Sequence, residues 1–147
     1  MPRLKLTVAY DGAGFSGWQV QARRSGVCER TVQGVLEAVI SPMLGRPVRI
    51  TGAGRTDAGV HALGQVCHFD APADKLGLPW QRALNAQLPD DVAVLAVERV
   101  DAAFSARFSA TDKTYAYTLW PFRELRIPQR RGFVWACGPV DPGAMAA

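Results

Sequence analysis

The sequence predicts an α+β fold of the ferredoxin-like, or RRM-like, kind. This is a β-α-β-β-α-β unit with an antiparallel sheet, helices on one face and extra C-terminal strands. Three observations predict it. Leu4, Leu6, Val8 and Tyr10 alternate with Lys5, Thr7 and Ala9, as in a strand with one apolar face. Val32, Val35, Leu36, Val39, Ile40 and Met43 follow the i, i+3, i+4, i+7 rule without a gap, as in an amphipathic helix. After a second, shorter helical stretch comes the β-prone run 92–100.

The elements follow in order. Strand one leads into a glycine-rich loop at 11–18, where Gly12, Gly14 and Gly17 match G-x-G-x-x-G. That pattern can mark a dinucleotide site, but no helix opens after it, and Arg23-Arg24-Ser25-Gly26 breaks the chain again. Thr31 is the expected N-cap of the first helix, which Pro42 should end nearby. Val48 and Ile50 read as a short strand leading into Gly52. Residues 66–69 read as the next strand, with a start as early as Ala62. Pro79 opens the second helix, which runs through Trp80, Ala83, Leu84 and Leu88. Residues 113–120 read as a strand with alternating aromatics, and 130–135 as a further strand. Asp141-Pro142-Gly143 has the cap and first-turn proline of a helix start.

Composition narrows the class. Of 147 residues, 48 % are hydrophobic, enough for a packed core. No apolar run approaches the roughly 20 residues of a membrane span. The N-terminus lacks the apolar core of a signal peptide. Cys28, Cys67 and Cys137 are odd in number and far apart, which argues against a disulfide framework and fits a reducing cytosol. The 17 Lys+Arg against 13 Asp+Glu give a net charge of +4, and arginine dominates. Arginine suits phosphate and base contacts, so a basic surface facing nucleic acid is one reading; an ordinary solvated surface is the other.

The chemistry concentrates between Thr51 and Asp70. Gly52, Gly54, Gly59 and Gly64 fence the polar triplet Arg55-Thr56-Asp57. Asp57 in a loop between strands can be a nucleophile or general base, although such an aspartate commonly hydrogen-bonds its own turn. On an extended backbone Arg55 lies on the same side, where it can pair with Asp57 or contact phosphate. His61, His68 and Cys67 lack metal-ligand spacing, since Cys67 and His68 fall on opposite faces of a strand. A structural or RNA-facing histidine is the ordinary reading. Tyr115 and Tyr117 share a face; Tyr117 reads equally as core, while Tyr115, beside Lys113, suits the mouth of a site where a base is stacked.

Several segments closely resemble the TruA-type tRNA pseudouridine synthases. They are Tyr10-Asp11-Gly12 with Phe15-Ser16-Gly17-Trp18-Gln19; Val32-Gln33-Gly34; Gly54-Arg55-Thr56-Asp57-Ala58-Gly59-Val60-His61-Ala62 with Gly64-Gln65-Val66; Leu84-Asn85 with Leu88-Pro89; Phe104-Ser105-Ala106-Arg107-Phe108-Ser109-Ala110; and Lys113-Thr114-Tyr115-Ala116-Tyr117. The matches run in order along nearly the whole chain.

The resemblance implies isomerisation of uridine to pseudouridine in the tRNA anticodon arm, just 3′ of the anticodon. It implies no metal and no cofactor, a cytoplasmic enzyme and a homodimer. Asp57 corresponds to the catalytic aspartate, acting at the ribose C1′ by covalent addition or by removing a ribose proton. Arg55 would pair with Asp57 and help extrude the nucleotide, and Tyr115 would stack on the uracil. The tRNA-binding candidates are Arg23, Arg24, His61, Gln65 and Arg107. Residues 1–103 are expected to form the catalytic domain. Residues 104–147 are expected to be a strand extension and the start of a linker to a second half, absent here, that family members carry. A non-catalytic RNA-binding domain of the same fold is the alternative.

Overall fold

Alternation in the first strand sets the sheet. In β1 (Arg3–Tyr10), Leu4, Leu6, Val8 and Tyr10 are buried, while Arg3, Lys5, Thr7 and Ala9 are half-buried on the other face. The structure is a computed structural model describing residues 1–21, 29–122 and 128–145. It contains two units, Met1–Thr111 and Asp112–Ala147.

The first unit carries α1 (Val32–Leu44), β2 (Thr51–Gly52), β3 (Ala62–Asp70), α2 (Trp80–Asn85) and β4 (Val92–Val100) after β1. The sheet order is β2-β3-β1-β4, with every neighbouring pair antiparallel. This is the arrangement expected for a ferredoxin-like unit. Val32, Leu36, Ile40 and Leu44 of α1 and Trp80 and Leu84 of α2 share one core cluster with the buried side of β1. Both helices therefore cover the same face. Cys67 and Phe69, opposite Leu6 and Leu4, complete that core. Each such side chain contributes about 1.5–3 kcal/mol through burial. At the centre of the sheet, burial pushes the Cys67 thiol up to about 12.

Thr31 caps α1 as expected, its side chain accepting the Gly34 N–H. The helix passes Pro42 and ends at Leu44, near the proline as expected. Leu44 gains a place in the core, and Gly45 at φ 65° then turns the chain, its N–H reaching the Pro42 carbonyl at 3.1 Å. The expected strand at Val48 and Ile50 is displaced to Thr51–Gly52. The reason is competition: the Ile50 N–H goes to Glu37 Oε1 at 2.9 Å and its carbonyl to Gln33 Nε2 at 3.1 Å. The Val48 N–H goes to Ser41 Oγ at 3.1 Å. Helix α1 thus takes the backbone groups a strand ladder would use. Helix α2 stops at Asn85, short of Leu88. Asn85 instead reaches β4, accepting the Val94 N–H at 2.8 Å and donating to the Val94 carbonyl at 2.9 Å. This fixes the bulge where Thr7 pairs with Ala96 but Val8 with Val94.

In the second unit, β5 (Leu119–Trp120) pairs in parallel with β6 (Trp135–Ala136), and α3 spans Pro142–Met145. The longer strands expected at 113–120 and 130–135 do not form. A strand needs a ladder partner along its length, and the described pairing here is two residues long. Tyr117, read equally as core, is 78 % exposed. Asp141 Oδ1 accepts the Gly143 N–H at 2.9 Å, the cap expected for α3. No helix among the described residues is long and apolar enough to cross a membrane.

Candidate active site

Two loops leave the same end of the sheet, 11–18 after β1 and 53–61 between β2 and β3. They lock together backbone to backbone. The Trp18 N–H donates to the Thr56 carbonyl at 3.0 Å, and the Gly59 N–H to the Phe15 carbonyl at 3.3 Å. Glycine is required at two of these contacts. A Cβ on Gly12 would overlap the Val60 carbonyl. Gly17 sits at φ 92°, and its Cβ would lie 2.7 Å from the Thr56 oxygen. Gly12 and Gly17 of the G-x-G-x-x-G pattern thus serve loop-to-loop contact; residues 12–14 form a single 3-10 turn and open no α-helix toward a pyrophosphate.

Side chains complete the lock. The Tyr10 hydroxyl meets Thr56 Oγ1 at 2.8 Å. Gln65 Nε2 donates to the Gly54 carbonyl at 2.8 Å. The Val60 N–H returns to the Asp57 carbonyl at 3.2 Å, closing the turn in which Gly59 adopts φ 80°. Gly52 lies beneath the Trp18 ring, with no room for a Cβ. Arg30 braces the outside: its guanidinium stands 4.0 Å over the Phe15 ring and forks onto Asp91 at 2.7 and 2.9 Å. Through that hydrogen bond and its charge, Arg30 holds the Asp91 carboxyl below its ordinary range.

Thr56 is thereby turned inward, and its neighbours Arg55 and Asp57 stand exposed. Among the described residues no ion pair joins Arg55 to Asp57. His61 Nδ1 lies 3.2 Å from the Gly12 nitrogen and 3.0 Å from Asp11 Oδ1. One ring nitrogen serves these in different states: bare, it accepts the Gly12 N–H; protonated, it donates to Asp11. The arrangement presents a carboxylate on an immobilised loop beside a guanidinium, with a histidine at the loop's exit. That is a geometry for acting on a polar substrate brought in from solvent.

Residues 6–109 match the model of a family described as tRNA pseudouridine synthase. The chain belongs to that family. It is 54 % identical over 145 residues to a protein from Nitratidesulfovibrio vulgaris called tRNA pseudouridine synthase A, covering 99 % of this chain and 49 % of the relative. A relative of the same name from Solidesulfovibrio magneticus is 52 % identical over 150 residues, covering 100 % of this chain and 54 % of its own length. One from Geobacillus kaustophilus, also so named, is 48 % identical over 134 residues, covering 90 % and 50 %. The chain spans about half the length of the curated relatives it matches.

The other synthase-like positions are distributed as follows. Tyr115 belongs to the second unit, where it is 64 % exposed and outside regular structure. Arg107 is exposed in a turn after β4, its guanidinium 5.5 Å from the Phe108 ring centre. Arg23 and Arg24 lie outside the described residues. Reading the sequence missed Tyr10 and Thr56 as the pair that turns the Asp57 loop; His68, read as structural or RNA-facing, is a buried acceptor whose partner was not foreseen. Tyr10 had a signal, since it closes an alternating apolar strand immediately before a glycine loop. His68 had one too, since alternation puts it opposite Lys5 on the face away from the helices.

Proposed function

We propose that this chain carries the catalytic half of a tRNA pseudouridine synthase that isomerises uridine to pseudouridine in the anticodon stem-loop, just 3′ of the anticodon. The observation that carries the reading is Asp57: an exposed carboxylate on a loop whose flanking residues, Thr56 and Gly59, are both hydrogen-bonded to the neighbouring loop. Residues 1–103 form the catalytic domain on this reading, and 104–147 an extension leading toward the remainder of a longer, homodimeric, cytoplasmic enzyme. Asp57 acts at the ribose C1′ of a nucleotide taken out of its stack. The C1′–N1 bond breaks, the uracil rotates, a C1′–C5 bond forms, the C5 proton is released to solvent and N1 takes up a proton in its place. Arg55 neutralises Asp57 or the adjacent phosphate during extrusion, and Tyr115 stacks on the uracil. Arg23, Arg24, His61, Gln65 and Arg107 contact tRNA, offsetting an unstacking cost of a few kcal/mol.

The test is pseudouridine content in the anticodon arm of tRNA from a host without its own enzyme, carrying this gene or its Asp57→Asn variant. Restoration by the wild type and loss in the variant are expected; equal restoration by both sinks the role of Asp57. The non-catalytic alternative predicts tRNA binding with no tritium release from 5-tritiated uridine.

A further inference from the structure

The face of the sheet away from the helices carries a clasp that holds the turn bearing Arg107. His68 on β3 is buried, and its Nδ1 accepts the backbone N–H of Ala106 at 3.1 Å. The Phe104 ring packs edge-on against the imidazole, centroids 6.0 Å apart. On the adjacent strand Arg3 forks onto Asp70 at 2.8 and 3.1 Å and spends its remaining amino group on the Phe104 carbonyl. Ala106 is itself buried, and the turn closes on itself through the Ser109 N–H to the Ser105 carbonyl at 2.7 Å. Two sheet residues from different strands thus fix residues 104 and 106. The exposed Arg107 and Phe108 are presented immediately after the anchored Ala106.

We infer that His68, with Arg3, is a positioning residue that sets Arg107 for tRNA. The inference rests on the reading of Arg107 as a tRNA contact. The reasoning is geometric: a phosphate contact needs the guanidinium held where the phosphate arrives, and a turn pinned at residue 106 loses little freedom on binding. The clasp requires a bare Nδ1. Burial, with the charge of Arg3, pushes the imidazole below its ordinary range and so favours that form. The charged groups on the elements packed against His68 are Arg3 and Lys5 on β1, Asp70 on its own strand, Glu98 on β4 through its ion pair with Lys5, and Asp101 and Arg107 on the turn segment; β2 offers the uncharged Thr51.

The experiment measures binding of an unmodified tRNA transcript by the wild-type chain, His68→Phe, His68→Asn, Arg107→Ala and the Phe/Ala double variant. Arg107→Ala should weaken binding about tenfold. His68→Phe should weaken it comparably, and His68→Asn, whose Oδ1 replaces Nδ1, should restore it. The double variant should bind no more weakly than Arg107→Ala alone, because both changes remove one contact. Normal binding by His68→Phe beside an impaired Arg107→Ala overturns the inference alone, as do losses that multiply in the double variant. Normal binding by Arg107→Ala overturns the Arg107 reading and the inference together. In the wild type, whatever the variants' fold, the hydrogen-exchange protection factor of the Ala106 amide should fall once the pH drops below about 6.5. Protection that persists to acid pH overturns the clasp.

Discussion

Asp57 and Tyr115 are the two positions that similarity to the synthases ranks highest, and they stand on backbone of opposite kinds. Neither lies in a helix or strand. Around Asp57, however, Gly54, Thr56, Gly59 and Val60 each make a hydrogen bond to another part of the first unit or within the turn. Around Tyr115, residues 113–118 are exposed along their length, and ladder pairing begins only at Leu119. Irregular backbone becomes rigid by finding partners, and two glycines, Gly12 and Gly17, let the partners come close. A site residue on the first kind of backbone is positioned before substrate arrives; one on the second is positioned by what binds it.

The sharpest way to break this comparison is Asp57→Asn. Loss of at least about a thousandfold in pseudouridine formation is expected, with thermal stability unchanged because the side chain is exposed. Retained turnover removes Asp57 from the chemistry. Next comes a pair of glycines. Gly17→Ala adds backbone strain to collision with the Thr56 carbonyl and should cost about 3 kcal/mol in urea unfolding. Gly59→Ala, at φ 80° with nothing within 4 Å of its Cβ, carries strain alone and should cost about 1 kcal/mol. Equal losses would mean that loop-to-loop contact adds nothing.

A smaller effect is expected from pH. His68 is pushed low in the folded state, so the unfolded chain takes up its proton first. Its contribution is complete above about 6.5 and is lost as pH falls through the lower native value. Asp70 and Asp91, held low by Arg3 and Arg30, contribute above about 3.9 and fail as pH drops through their depressed values. The urea midpoint of the first unit should therefore decline in two stages, and His68→Asn should erase the upper one. Smallest of all, Tyr115→Ala and Tyr117→Ala should each change stability by under about 0.5 kcal/mol. Tyr115→Ala alone should impair tRNA modification. A large stability loss in either would show the second segment to be held as firmly as the first.

Much of the first unit was legible because its periods are clean. Alternation in β1 and the unbroken helical spacing of α1 each report one buried face, and the β-α-β-β-α-β order of elements points to the ferredoxin-like sheet. The limits of β2 and α2 were not legible, because side chains of Gln33, Glu37 and Asn85 reach across to backbone that propensity alone would pair elsewhere. Asp57 stood out in the sequence through its glycine fence, but the loop it packs against did not. Gly12 and Gly17 answer to Val60 and Thr56, far away along the chain. The aromatic alternation at 115–117 predicted a strand because alternation reports only a shared side; it carries no information on whether anything pairs with it.

The thiol of Cys67 has a practical use. It lies at the centre of the sheet opposite Leu6, fully buried and protonated at neutral pH. An alkylating reagent can reach it only in molecules whose sheet has come apart. With Cys28 and Cys137 replaced, its labelling rate becomes a clock that counts openings of the core, one protein molecule at a time. A substitution that loosens the Asp57 loop while leaving that clock unchanged has altered the site without touching the scaffold beneath it.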